Sequence, residues 1–208
     1  MTGIKAVVFD IGNVLVEWHP EAAFDRAIGE DRRRALFANV DLDAMNNRVD
    51  MGEEIADVVR ETAQKHPGYH DDILLWHRNW LDMFRPPIPG TITLLRAVRA
   101  KGIPAFALSN FGTSTLALAD KYYPVLTEFD RRFVSGHLKM MKPDPAIYAH
   151  VEAETGLAPE ALLFTDDKAD NIDAAAARGW ETHLFESAQG LANKLFAEGV
   201  LHPSDIPA

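Results

Sequence analysis

Residues 6–18 read AVVFDIGNVLVEW, a short apolar run that stops on an aspartate and is followed by glycine and asparagine. A continuous run of this kind between turn signals marks a strand buried on both faces, as in a parallel sheet with helical crossovers. A buried strand that ends in a charge needs a reason. At the C-terminal end of a central strand an acid faces the crevice where open α/β sheets bind ligands, and Gly12 lets the chain bend close around it. Asp10 reads equally well as a turn or cap residue. The stretch alone leaves both readings standing.

Residues 4–9, 103–108 and 161–164 are apolar runs of the same type, separated by helical patterns. TITLLRAVRAKG (91–102) is a helix preceded by Pro89-Gly90 and stopped by Gly102. DPAIYAHVEAETG (144–156) opens with an aspartate N-cap and a proline at the first helical position, and closes on Gly156. KADNIDAAAARG (168–179) has acids in its first turn and Arg178 in its last, as the helix dipole favours. WETHLF (180–185) and RRFVS (131–135) are further strand candidates.

Residues 15–88 break this alternation. PEAAFDRAIG, DRRRALFANV, GEEIADVVRETAQKH and YHDDILLWHRNWLDMF are all helical in pattern, and RPPIPG (85–90) closes the segment. The expected architecture is α/β: a Rossmann-like parallel sheet formed by residues 1–14 and 89–208. Residues 15–88 form a helical insert placed over the C-terminal edge of that sheet.

Composition narrows the function. The chain has 208 residues, 47% hydrophobic and 25% charged, as an ordinary globular domain has. Its net charge of -10, from 21 Lys+Arg against 31 Asp+Glu, argues against a nucleic-acid partner, because the phosphate backbone rewards clustered cations. The absence of cysteine removes disulfides, thiol nucleophiles and thiolate zinc sites together. No apolar run approaches the roughly 18 residues that span a bilayer. AVVF after the first lysine is too short for a signal-peptide core. The expectation is a cytoplasmic protein with no membrane partner.

Three other segments carry chemistry at strand ends. In ALSNFG (107–112), Ser109 and Asn110 could hydrogen-bond phosphate oxygens, or could cap a helix near Thr113. In KMMKPDP (139–145), Lys142 precedes proline and is biased to extended backbone. It is either a solvated lysine or the cation of an anionic site. In LLFTDDKADN (162–171), Asp166 and Asp167 repel each other unless a cation is near. Hard oxygen donors with no histidine or cysteine point to Mg²⁺. Asp170 and Asp173 are read as helix N-terminal acids.

These segments resemble the haloacid dehalogenase superfamily along the whole chain: VVFDIGNVL its first motif, LSN its second, KP its third and TDDKADN its fourth. The insert after the first motif resembles that family's C1-type cap. The resemblance implies a phosphatase acting on a small phosphorylated metabolite, with Asp10 as the nucleophile that forms an aspartyl-phosphate. It implies Mg²⁺ between Asp10, the carbonyl of Gly12 and Asp167, with Asp166 close by. Ser109, Asn110 and Lys142 then hold the transferring phosphoryl group.

Gly12 departs from the family pattern, which usually has a second aspartate there as general acid and base, a role worth roughly 10²–10⁴ in rate. FDIGNV is similar to a bacterial subgroup with DLGNV or DIGNV that includes a phosphatase acting on glucose 1-phosphate. Glu17, His19 or a residue of the cap is left to activate water. The same glycine suits a 2-haloacid dehalogenase, whose halide leaves without a proton and which uses no Mg²⁺. It also suits a family member that binds without turnover.

Within the insert, NNRVDMGEE (46–54) breaks the helical pattern around Gly52 and is a candidate specificity loop. Arg48 is placed to meet an anion there, or else lies on the surface. Trp76, Trp80 and Phe84 recur at i, i+4 and i+8, the spacing of a core-facing stripe. Trp18 and His19 are closer to the nucleophile.

Overall fold

A computed structural model describes residues 3–206 of the chain. Met1, Thr2, Pro207 and Ala208, which the expected sheet domain includes, lie outside the described residues. Among the described residues, five parallel strands form one sheet in the order β5-β4-β1-β6-β7. They are β1 (Ala6–Phe9), β4 (Ala105–Ser109), β5 (Arg131–Val134), β6 (Leu162–Asp166) and β7 (Glu181–Leu184). Each forms at a run legible as a strand in the sequence. The chain builds outward from β1 to β4 and β5, then returns to the other side of β1 for β6 and β7. The C-terminal ends of the three central strands thereby converge on one edge.

Side-chain alternation explains why these strands are apolar throughout. Val7 and Phe9 of β1, Ala105 and Ala107 of β4 and Leu163 of β6 pack on one face. Ala6, Val8, Phe106, Leu108, Leu162 and Phe164 pack on the other. With period-two alternation and helices on both sides, no position is left to be polar.

The insert comprises α1 (Pro20–Ile28), α2 (Glu30–Asn39), α3 (Leu42–Asp50), α4 (Ile55–Lys65), α5 (His70–Arg78) and α6 (Trp80–Met83). The remaining helices are α7 (Pro89–Ala100), α8 (Thr113–Tyr122), α9 (Ser135–Leu138), α10 (Pro145–Thr155), α11 (Ala169–Ala176) and α12 (Ala188–Ala197). Asp144 caps α10 by accepting from Ala146 N–H, and Gly156 ends it at φ 66°, as the sequence indicates.

Three features differ from the sequence reading. β2 (Val16–Trp18) and β3 (Phe84–Pro87), both unforeseen, pair antiparallel and join the helical insert to the sheet. The stretch 46–54 is not one loop: α3 continues through Asp50 and the break falls at Met51 and Gly52. Phe84 does not continue a helical stripe with Trp76 and Trp80, because the helical pattern is interrupted at Asn79 and Phe84 opens a strand. Among the described residues, no helix is long and apolar enough to cross a membrane.

Candidate active site

Asp10 follows β1 directly, and its N–H donates to the Thr165 carbonyl at 2.9 Å, so the sheet ladder holds its backbone. Its carboxylate accepts from Ile11 N–H at 2.7 Å and from the Ser109 hydroxyl. The side chain is buried but faces a cavity of about 380 Å³.

The tight turn after Asp10 does not depend on Gly12 in the way the sequence suggested. Asn13 is the residue in the left-handed region, at φ 55°, and a Cβ built on Gly12 would meet nothing within 4 Å. Asn13 tolerates that conformation because its side chain is satisfied locally: Oδ1 accepts from Trp18 N–H and Nδ2 donates to Asp167 Oδ2 at 2.9 Å. Gly12 instead leaves open space on the cavity wall it shares with Asp10.

Lys142 is almost wholly enclosed, at 1% exposure. Its Nζ lies 3.0 Å from Asp10 Oδ2 and 2.5 Å from Asp166 Oδ2. The lysine is therefore no solvated surface cation. Asn110 positions it through a two-way clamp: Asn110 Nδ2 donates to the Lys142 carbonyl, and Lys142 N–H donates to Asn110 Oδ1, both at 2.8 Å. One Nδ2 hydrogen and the Oδ1 of Asn110 are thus engaged by the Lys142 backbone, while Asn110 itself lines the cavity.

Asp166 is fully buried and accepts from Lys142 Nζ, from Lys168 N–H at 2.8 Å and from Asn171 Nδ2. Burial pushes its carboxyl up, but the Lys142 charge and these donors outweigh burial and leave it below the usual carboxylate range. Asp10 has fewer donors. Burial dominates there and pushes it up to about 7 against the pull of Lys142.

Asp10, Asp166 and Asp167 each offer an oxygen within 4.8 Å of the others, a donor set suited to a hard divalent cation. Asp166 is already saturated by protein donors, so the two carboxylates with free capacity are Asp10 and Asp167. Both line the cavity, as does Gly12.

The opposite wall comes from α3. Leu42, Met45 and Val49 are buried in the insert, while Asp43, Asn46, Asn47 and Asp50 line the cavity. The polar set has i, i+3, i+4, i+7 spacing, which places all four on one helical face. The sequence reading missed this face because it took residues 46–54 for a loop; the spacing of the polar residues was the available signal. Trp18, Trp80, Phe84 and Phe111 complete the wall with rings 5.1–5.9 Å apart. Trp80 and Phe84 are therefore both core residues and cavity residues.

The end of α3 is fastened to the sheet domain. Ser135 Oγ donates to the Asp50 carbonyl at 2.6 Å and accepts from Phe111 N–H at 2.9 Å. Lys139 Nζ donates to the carbonyls of Met51 and Gly52. Gly52, at φ 89°, packs so closely on Gly136 that a Cβ would strike the Gly136 carbonyl.

Three sequence candidates lie elsewhere. Glu17 and His19 pair with each other at 2.7 Å, substantially exposed, and neither lines the cavity. Arg48 is held by Glu53 and Glu61, so its charge is already matched, and it does not line the cavity. Asn13, Asn171 and Asp50, not singled out in the sequence, all line the cavity.

This geometry agrees with comparisons to known proteins. Residues 4–179 match the haloacid dehalogenase-like hydrolases, and the chain belongs to that family. It is 25% identical to the sesquiterpene phosphatase astK of Aspergillus oryzae, over 89% of this chain and 92% of that one. It is 24% identical to the (S)-2-haloacid dehalogenase H-109 of Pseudomonas putida, over 86% and 83% respectively. Among solved structures, it is similar to a HAD family enzyme of Bacteroides thetaiotaomicron in complex with magnesium and inorganic phosphate. The TM-score is 0.68 at 22% identity, covering 88% of this chain and 95% of that one. The chain is thus a hydrolase with phosphatases among its relatives.

Proposed function

We propose that the chain is a Mg²⁺-dependent phosphomonoester hydrolase that works through an aspartyl-phosphate on Asp10. Its substrate is a small sugar phosphate or a similar metabolite. The placement of Asp10 carries this reading: a strand-end carboxylate 3.0 Å from a buried lysine, grouped with two further carboxylates and open to a cavity. Asp10, the Gly12 carbonyl and Asp167, with Asp166 behind them, would hold Mg²⁺, which supplies charge neutralisation at the phosphoryl oxygens.

The chain's own residues account for the rest. Asp10 attacks phosphorus, with Lys142 and Ser109 fixing its carboxylate in line. Lys142 offsets charge on the transferring group, and Asn110 holds Lys142 in place. Residues 15–88 act as a cap that excludes water and selects the leaving group, while 1–14 and 89–208 carry the chemistry. The amide and acid face of α3, opposite an aromatic wall, suits a polyhydroxylated leaving group.

The test is phosphate release from 4-nitrophenyl phosphate and glucose 1-phosphate, with Mg²⁺ or chelator, for the wild type and Asp10→Asn. Metal-dependent turnover that vanishes in the variant is expected. One observation favours a second reading, 2-haloacid dehalogenation: Gly12 offers no proton to a leaving group, and a halide needs none. Halide release in chelator with no phosphate release would establish it, although Asp166 and Asp167 have little to do in a metal-free site.

A further inference from the structure

Hydrolysis of a phosphomonoester needs a group that gives a proton to the leaving oxygen and later takes one from water. Gly12 provides none. Among the described residues, the cavity wall contains no histidine, cysteine or tyrosine. Its ionisable side chains are Asp10, Asp43, Asp50, Asp167, Lys142 and Lys168. Asp10 is the nucleophile, Asp167 belongs to the cation site, and the two lysines are cations in an anion-binding cavity. Asp43 is exposed. Asp50 remains.

Asp50 is held as a working group would be. It is the last residue of α3, so a helix places it. One carboxylate oxygen accepts from Asn46 Nδ2 at 2.9 Å, and Asn46 Oδ1 accepts in turn from the buried Trp76 Nε1 at 3.3 Å. Gly112 N–H also hydrogen-bonds the carboxylate. The Asp50 carbonyl is fixed by Ser135, whose hydroxyl accepts from the N–H of Phe111, next to Asn110. The charged groups around it are Asp10, Lys142 and Lys168 in the cavity, Asp43 on its own helix, and Lys139 on the Met51 and Gly52 carbonyls. The space left by Gly12 lies open on the cavity wall it shares with Asp10.

We propose that Asp50, delivered from the helical insert, is the general acid and base of the reaction in place of the side chain that Gly12 lacks. This rests on the phosphatase reading above. In the first step an Asp10 oxygen bonds to phosphorus, the ester P–O bond breaks, and the leaving oxygen takes the proton of the Asp50 carboxyl. In the second step the Asp50 carboxylate takes a proton from water as the water oxygen bonds to phosphorus. The Asp10–phosphorus bond breaks, releasing inorganic phosphate and restoring both aspartates. Burial of Asp50, which pushes its carboxyl up to about 7 despite Lys168, lets it exchange a proton near neutrality.

The test uses 4-nitrophenyl phosphate with Mg²⁺, because nitrophenolate leaves without a proton and separates the two steps. With Asp50→Asn, the first step should survive and the second should slow. The expected result is a burst of about one equivalent of nitrophenol, with steady-state turnover down roughly 10²–10⁴-fold. Quenched protein should carry one phosphoryl group by intact mass, and Asp50→Glu should recover part of the turnover. Asp50→Asn turning over within about threefold of wild type, with no trapped phosphoryl group, would overturn the proposal alone. So would a folded variant that loses both steps, since that is the behaviour of a structural residue. No turnover by the wild type would remove the phosphatase reading and this proposal with it.

Discussion

Lys142 Nζ lies 3.0 Å from Asp10 Oδ2 and 2.5 Å from Asp166 Oδ2, inside a site where the lysine has 1% of its surface exposed. One buried cation thus serves two buried carboxylates. Removing it leaves both uncompensated, and losing one partner of a buried pair costs more than the pair itself contributes. Lys142→Ala should destabilise the protein by about 3–5 kcal/mol, measured by urea denaturation without metal. Its phosphatase turnover should be near background even where the fold persists.

Asp10 and Asp167 face the cavity with free oxygens, so a divalent cation should bind the folded chain and not the unfolded one. Mg²⁺ at about a hundred times its dissociation constant should add roughly 2.7 kcal/mol of stability. Asp167→Asn should remove most of that gain in thermal melts, whether or not the protein turns over substrate. An unchanged melting temperature on adding Mg²⁺ at millimolar concentration would count against the cation site.

Asp50 sets a pH dependence of stability. Its carboxyl is raised from 3.8 to about 7 in the fold, so between those values the folded state binds more protons than the unfolded one. Stability contributed by this group is therefore present at low pH and lost as pH rises from about 4 to about 7. Asp50→Asn should be more stable than wild type at pH 8, by about 1–3 kcal/mol, with the difference shrinking toward pH 4. Paired melts across that range measure it.

Ser135 joins the end of α3 to the Phe111 loop through two hydrogen bonds. Ser135→Ala leaves the Asp50 carbonyl and Phe111 N–H without this partner and should cost about 1–3 kcal/mol. It should also slow turnover by loosening Asp50, while Mg²⁺ binding, which depends on β1 and β6, stays intact. Calorimetric titration with Mg²⁺ separates the two effects.

Arg48 is matched by Glu53 and Glu61 at the protein surface. Arg48→Ala should change stability by no more than about 1 kcal/mol and leave turnover within about twofold. A large rise in KM would return Arg48 to the substrate site.

The sheet was legible because its signals are local. The runs that end at Asp10, Ser109 and Asp166 are apolar at every position, and the caps at Asp144 and Gly156 lie within a few residues of the elements they bound. The β2–β3 pair was not legible: three residues of VEW and four of FRPP carry no periodicity, and they meet only because the helices between them fold back. α3 was obscured by polarity, since Asp43, Asn46, Asn47 and Asp50 line a cavity and so read like a loop.

The sequence by itself determined the α/β class, the strand ends, and the chain order of Asp10, Ser109, Lys142 and the Asp166-Asp167 pair. Strand burial and helix capping are encoded within short windows, so these features survive without coordinates. Only the tertiary structure decided that Asn110 clamps Lys142, that Arg48 pairs with Glu53 and Glu61, that Glu17 and His19 pair with each other away from the cavity, and that Asp50 lines the same cavity as Asp10. A polar side chain's role depends on whether it meets solvent, a countercharge or a cavity. For Asp50 the surfaces that decide this come from Phe111, Ser135 and Lys168, which are sixty or more positions away along the chain and beside it only once the insert has closed over the sheet.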